Sequence, residues 1–186
     1  LAELWFGAGR KLGDFAVITI EHGLGMGFVL NHRIYRGAQG LGMELGHTKV
    51  QLDGALCRCG QRGCLEAYVA DYALVREANS VGGVNPTSST SQAVTAILAA
   101  AHEGDPTAKT VIERAGRMFA MGLANLVNIF DPELIILAGE QIEFDHLYAD
   151  SVIEEMRKSI VEIDKPAPDV VVHKWDNLMW ARGAAA

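Results

Sequence analysis

Four side chains that bind transition metals lie close together in the sequence. They are one histidine and the chain's only three cysteines, and the cysteines fall within eight residues of one another: His47, Cys57, Cys59 and Cys64. One imidazole and three thiolates form a complete tetrahedral ligand set for zinc, with no fourth position left for water. The sequence therefore predicts a structural zinc site. The alternative is three unpaired buried thiols beside an unrelated histidine.

Two carboxylates flank the predicted metal site. Glu44 precedes His47 by three residues, and Glu66 follows Cys64 by two. If one ring nitrogen of His47 binds the metal, the other becomes a fixed hydrogen-bond donor. One donor and two strong acceptors suit the hydroxyl groups of a polyol such as a sugar. The other interpretation is that both glutamates are solvated surface charges.

The composition limits the class of protein. Hydrophobic residues make up 49% of the 186 residues and charged residues 21%, which is sufficient for a packed core. The net charge is −7, so the chain lacks the basic surface that DNA phosphates require. DNA binding would need a segment outside this sequence. No apolar run reaches the length of about 18 residues that a membrane span needs, which predicts a cytoplasmic protein.

The order of predicted elements indicates an α/β fold. Apolar, β-branched runs predict strands at residues 15–20, 28–30, 33–35, 134–137 and 170–172. Helical spacing predicts helices at residues 66–79, 91–103, 106–130 and 146–160. Asp105 and Pro106 form a favourable start for the longest helix. Residues 1–7 and 180–186 have the patterns of incomplete helices, from which we expect a fragment of a longer protein.

The residues around the cysteines carry a family resemblance. Leu45-Gly46-His47 and the run from Cys57 to Glu66 (CRCGQRGCLE) resemble the zinc signature of the ROK family, which comprises repressors, uncharacterised reading frames and sugar kinases. Residues 23–46 and 125–137 also resemble this family. The resemblance implies an actin-like ATPase (ribonuclease H-like) fold with two lobes around a cleft. Residues 1–186 would be the C-terminal part of a sugar-binding domain, without the upstream lobe or any DNA-binding domain.

The resemblance also implies roles for single residues. Glu44, His47 and Glu66 match the sugar-hydroxyl ligands of the family, and His47 is at the same time a zinc ligand. The catalytic aspartate of the family's kinases would precede Leu1, so we assign no catalytic residue in this chain.

Two segments depart from the pattern of the family's kinases. Glu21-His22-Gly23 stands where those enzymes have a Gly-Thr-Gly phosphate loop. Ala138-Gly139-Glu140 stands where they have a pair of glycines near the adenosine. A carboxylate repels a polyphosphate and is bulkier than glycine. Both departures argue against ATP binding. The predicted zinc ligands and sugar ligands, in contrast, match the pattern of the family.

These observations favour one function and leave others open. We expect the sugar-sensing and oligomerisation domain of a ROK-type transcriptional regulator, assembled as a homodimer or higher oligomer. It would bind DNA only through a domain upstream of this sequence. The main alternative is an ATP-dependent hexose or N-acetylhexosamine kinase, and a sugar-binding or assembly role is the third.

Overall fold

The computed structural model describes residues 1–20, 22–81, 89–139, 150–161, 166–175 and 178–185. The strands are β1 (Phe15–Ile20), β2 (Leu24–Leu30), β3 (Arg33–Ile34), β4 (Leu134–Gly139) and β5 (Asp169–Lys174). The α-helices are α1 (Ala2–Trp5), α2 (Glu66–Val69), α3 (Asp71–Ser80), α4 (Thr90–Glu103), α5 (Pro106–Phe130), α6 (Asp150–Ser159) and α7 (Met179–Ala185). Short 3₁₀ helices span Ala8–Lys11 and Leu45–His47.

The five strands form one mixed sheet in the order β3-β2-β1-β4-β5. β1 and β2 are antiparallel, as are β2 and β3, whereas β4 runs parallel to both β1 and β5. β1 lies at the centre of the sheet, where both of its faces are covered, and this explains its continuous apolar sequence. The predicted α/β class is confirmed.

Helices cover one face of the sheet and form the main core. Phe28 from β2 and Leu137 from β4 are buried there against Phe119 and Leu123 of α5. The opposite face holds a smaller cluster around Phe15 and Ile136. The larger core therefore joins the sheet to the helices that follow the cysteine-rich segment.

Helix α5 has the predicted bounds. Asp105 caps it by accepting a hydrogen bond from the Ala108 N–H at 2.7 Å, and Pro106 occupies the first turn. Gly122 lies where the helix packs against the segment after the cysteines. A β-carbon added at this position would overlap the side chain of Leu65, which is fully buried. The glycine therefore sets the distance between α5 and that segment.

Two predicted elements differ from the structure. β2 begins at Leu24 rather than at residue 28, since pairing with β1 outweighs the low strand preference of its glycines. The helix predicted over residues 66–79 is broken at Ala70, whose ψ of 155° is extended. The described part of the helix predicted over residues 146–160 is α6, and residues 146–149 lie outside the described part. Within the described residues, no helix is both long and apolar enough to cross a bilayer.

Candidate metal and ligand site

The structure brings the four predicted metal ligands together in one cluster. One ligand atom from each of His47, Cys57, Cys59 and Cys64 lies within 4.8 Å of all the others. The Cys59 and Cys64 sulfurs are 3.7 Å apart, as are the Cys57 sulfur and His47 Nδ1. A tetrahedral zinc ion with Zn–S bonds of about 2.3 Å separates its sulfurs by about 3.8 Å. The cluster therefore has the size and donor set that fit zinc.

The segment from His47 to Leu65, here called the knuckle, is held by its own backbone. The Val50 N–H donates to the Gly63 carbonyl at 2.9 Å, and the Cys57 N–H donates to the Gln61 carbonyl at 2.8 Å. Gly63 has a φ of 77°, and a β-carbon there would overlap the carbonyl oxygen of Gln51. Glycine is therefore required at the turn that leads into Cys64.

A cationic side chain lies beside the sulfurs. Three thiolates around a divalent ion leave one net negative charge, and the Lys49 ammonium lies 2.9 Å from the Cys64 sulfur. A hydrogen bond with the Gln61 backbone lowers the pKa of the Cys59 thiol. Burial raises the pKa of the Cys57 thiol. The cluster thus combines one thiol that ionises readily with one that holds its proton more tightly.

The two ring nitrogens of His47 face different groups. Nδ1 faces the cluster, and Nε2 lies 3.9 Å from Glu44 Oε2. A metal on Nδ1 leaves the proton on Nε2, so an N–H would point toward the side on which Glu44 lies. The Glu44 side chain is 64% exposed and that of His47 is 35% exposed. Both groups are therefore accessible to a ligand from solvent.

Glu66 is the buried member of the predicted sugar set, with only 9% of its surface exposed. Its Oε2 accepts a hydrogen bond from the Leu24 N–H at 3.2 Å, and its Oε1 accepts one from the Tyr72 hydroxyl at 3.3 Å. The Cys57 sulfur lies 3.7 Å from the same Oε1. This burial excludes the surface-charge interpretation for Glu66. It also places the carboxylate next to the metal cluster.

Gly46 allows the backbone beside His47 to approach β2 and Glu66 closely. A β-carbon at Gly46 would lie 2.6 Å from the Leu24 carbonyl oxygen and 3.4 Å from Glu66 Cβ. The backbone next to His47 therefore packs directly against β2 and against the first residue of α2. Gly46, which precedes the knuckle, and Glu66, which follows it, thus meet at Leu24, the first residue of β2.

The turn between β1 and β2 is also attached to the knuckle. Arg58 donates to the His22 carbonyl oxygen at 3.3 Å, and the His22 ring lies 3.6 Å from the Asp71 carboxylate. β1 and β4 are parallel neighbours, with Thr19 paired to Ala138, so both strands end at the same edge of the sheet. Such edges are common ligand sites in α/β folds. Glu21 and Glu140, the two departures from the kinase pattern, lie outside the described residues.

Three side chains around the site were missed by the sequence analysis. Lys49 contacts a cluster sulfur, Arg58 reaches the β1–β2 turn, and Tyr72 contacts Glu66. Arg58 and Lys49 carried no signal beyond an ordinary positive charge. Tyr72 lies within the helix predicted over residues 66–79, and that prediction gives its hydroxyl no role.

A second concave region lies on the opposite face of the sheet. Trp175 and Trp180 contact each other edge to face there, beside a cavity of about 300 Å³. The buried carboxylate of Glu3 accepts hydrogen bonds from the Trp175 indole at 3.0 Å and from the Ala8 N–H at 3.0 Å. His173 Nδ1 lies 3.1 Å from the same carboxylate. This carboxylate is satisfied within the protein.

Known proteins resemble the chain in both sequence and fold. The xylose repressor of Caldicellulosiruptor bescii is 32% identical over 161 residues, which are 83% of this chain and 40% of the repressor. A ROK family glucokinase from Streptomyces griseus, solved with glucose and AMPPNP, matches with a TM-score of 0.79 and 30% identity over 99% of this chain and 63% of the enzyme. The chain thus spans less than two thirds of the length of each of these relatives.

A transcriptional regulator matches equally well. The structure of a ROK family transcriptional regulator, a homologue of the E. coli MLC protein, has a TM-score of 0.78 and 31% identity over 99% of this chain and 48% of the regulator. The fold is therefore an actin-like ATPase (ribonuclease H-like) lobe, and it occurs in both regulators and kinases. The model of the ROK family matches residues 1–186, and the chain belongs to this family.

Proposed function

We propose that this chain is the sugar-sensing domain of a ROK-type transcriptional regulator that does not bind ATP. The observation that carries this choice is the sequence Glu21-His22-Gly23 at the position of the kinases' Gly-Thr-Gly loop. At an effective dielectric constant of 20, two like unit charges 4 Å apart repel by about 4 kcal/mol. A second glutamate, Glu140, stands where the kinases have a glycine near the adenosine, and its side chain is bulkier than that glycine.

The proposed sugar ligands are Glu44, His47 and Glu66. A zinc ion held by His47, Cys57, Cys59 and Cys64 would fix the imidazole so that its Nε2–H could donate to a sugar hydroxyl. The buried carboxylate of Glu66 and the exposed one of Glu44 would accept hydrogen bonds from other hydroxyls. The metal would be structural, because its four ligand positions are taken by protein.

The proposed signal is a change in shape on sugar binding. The ligand would bind in the cleft between this lobe and an upstream lobe, and closure of the cleft would shift the arrangement of the DNA-binding domains. Since the net charge of this chain is −7, DNA contacts would come from a domain outside it. We propose that the protein acts in the cytoplasm as a homodimer or higher oligomer.

The second candidate is an ATP-dependent kinase of a hexose or an N-acetylhexosamine. It is supported by the similarity to the glucokinase that was solved with glucose and AMPPNP. In this case an aspartate upstream of Leu1 would accept a proton from the sugar hydroxyl that attacks the γ-phosphate. Glu21 would then have to turn away from the phosphates, because the electrostatic cost given above applies when the carboxylate stays beside them.

One experiment separates the two candidates. The full-length protein is mixed with DNA from the region upstream of its own gene and is titrated with D-xylose, D-glucose or N-acetyl-D-glucosamine, while ADP formation from ATP is followed in parallel. The proposal expects one of these sugars to change the affinity for DNA and expects no sugar-dependent ADP. Sugar-dependent ADP formation, with no effect of sugar on DNA binding, would establish the kinase instead.

A further inference from the structure

Tyr72 connects the proposed sugar ligand Glu66 to the knuckle. Its hydroxyl is within hydrogen-bond distance of Glu66 Oε1, at 3.3 Å, and of the Cys57 sulfur, at 3.7 Å, and the carboxylate oxygen is the nearer acceptor. The guanidinium carbon of Arg58 lies 3.9 Å from the centre of the Tyr72 ring, which is the geometry of a cation–π contact. Arg58 itself lies between two cysteines of the metal cluster and donates to the His22 carbonyl. Tyr72 is therefore held between the knuckle and the buried carboxylate.

This contact depends on the break in the helix after Val69. In a continuous α-helix, Glu66 and Tyr72 would be separated by about 9 Å along the axis and would point in different directions, because six residues correspond to one and two thirds of a turn. Ala70 has an extended backbone, with a ψ of 155°, and starts a new helix at Asp71. The break allows the Tyr72 side chain to reach back to Glu66.

The two hydrogen bonds fix the orientation of the Glu66 carboxylate. The Leu24 N–H holds Oε2 at 3.2 Å, and the Tyr72 hydroxyl holds Oε1. With only the first bond, the carboxylate could still turn about its terminal torsion, which has a broad energy profile. A carboxylate has about four lone-pair sites, so two remain for ligand hydroxyls when two are used within the protein.

We propose that Tyr72 is a positioning residue that orients Glu66 for the sugar and that Arg58 holds the tyrosine ring in place. This inference rests on the proposed sugar-binding function. Tyr72 does not contact the sugar in this account. It acts on the sugar only by orienting Glu66. Because Arg58 belongs to the knuckle and holds the Tyr72 ring, the orientation of Glu66 depends on an ordered knuckle.

The test is the Tyr72→Phe variant of the full-length protein, because this change removes the hydroxyl and keeps the ring beneath Arg58. The matched control is Tyr68→Phe, which removes a tyrosine hydroxyl that accepts a hydrogen bond from the Ala55 N–H at 2.7 Å, whereas the Glu66 carboxylate is held by Leu24 and Tyr72. Titration calorimetry with D-glucose, D-xylose and N-acetyl-D-glucosamine measures affinity. Metal analysis shows whether the knuckle still binds its metal, and thermal denaturation gives the melting temperature of each variant.

We expect Tyr72→Phe to weaken sugar binding about tenfold, as is usual for the loss of a hydrogen bond to a charged group, while metal content and melting temperature stay unchanged. Tyr68→Phe should keep the affinity of the parent protein to within about twofold. Equal affinity in Tyr72→Phe and the parent protein would overturn the inference and leave the proposed function intact. An equal loss in both variants would also overturn it, since a general loosening of the knuckle would then be the cause.

A crystal structure of the Tyr72→Phe variant gives a readout that needs no sugar. The inference expects the Glu66 carboxylate to turn away from its orientation in the parent protein while the Leu24 contact is kept. An unchanged Glu66 conformation would overturn the inference. If none of the three sugars binds to the parent protein, the proposed function fails. The crystal structure of the Tyr72→Phe variant still decides whether Tyr72 orients Glu66.

Discussion

The carboxylate of Glu66 accepts a hydrogen bond from the backbone N–H of Leu24 at 3.2 Å. Glu66 is the first residue of α2 and directly follows the knuckle, and Leu24 is the first residue of β2. This bond therefore connects the metal-binding segment to the sheet at the strand end where ligands of α/β folds commonly bind. It explains how a charged side chain can be buried beside a cluster of cysteines.

The first prediction concerns Glu66 itself. Glu66→Gln keeps the shape of the side chain and an oxygen for the Leu24 N–H, but it removes the negative charge. We expect sugar affinity to fall at least tenfold, because hydrogen bonds to charged groups contribute about 1.5–3 kcal/mol. Calorimetry measures the affinity, and the control is Glu154→Gln on the exposed side of α6. Equal sugar affinity in the two variants would remove Glu66 from the proposed site.

The second prediction concerns the metal. Cys64→Ser should abolish binding of one zinc ion per chain and lower the melting temperature by about 10 °C or more, since structural zinc contributes directly to folding. Sugar affinity should fall as well, because Glu66 and His47 both lie on the knuckle or at its end. Chelation of the metal from the parent protein, followed by zinc addition, is the control and should reverse all three effects. Loss of metal with full sugar affinity would show that the knuckle does not position the sugar ligands.

The third prediction concerns pH. Zinc binds thiolates and neutral imidazole, so protons compete with the metal, and burial strengthens this competition by raising the pKa of Cys57. The metal should therefore be retained at neutral and alkaline pH and released as the pH falls from about 7 to about 5. A chromogenic chelator reports the released metal at each pH. Metal content that stays constant down to pH 5 would contradict the proposed ligand set.

The fourth prediction concerns the contact between α5 and the knuckle. Gly122→Ala should destabilise the protein by about 1–3 kcal/mol, because the added methyl group would overlap the fully buried Leu65, although alanine is the better helix former. Gly27→Ala in β2 is the matched control, since a β-carbon there meets no atom within 4 Å. Urea denaturation measures both variants. A Gly122→Ala variant as stable as the control would show that Leu65 can move aside.

Local patterns in the sequence predicted much of the fold. The continuous apolar run of β1 and the capping residues and apolar stripe of α5 are signals within one element, and the structure has both elements at the predicted bounds. The metal cluster was also recognisable, because its ligand types are rare and closely spaced in the sequence. Such features depend on residues near one another in the chain.

The remaining features depend on contacts between distant segments. Alanine favours helices, so Ala70 gave no sign of the break between α2 and α3. The glycines at the start of β2 are poor strand formers, and only pairing with β1 makes them part of the sheet. The orientation of Glu66 by Leu24 and Tyr72 follows from both of these features, and for this reason the sequence could name Glu66 but could not predict its burial.

The central claim is that this protein binds a sugar and does not bind ATP. The most direct measurement is a pair of calorimetric titrations of the zinc-loaded full-length protein, one with D-xylose, D-glucose and N-acetyl-D-glucosamine in turn, and one with AMPPNP and Mg²⁺. The account predicts saturable binding of one of the sugars and no binding of AMPPNP, with or without that sugar. Saturable binding of AMPPNP would contradict it, and the kinase would then become the better description.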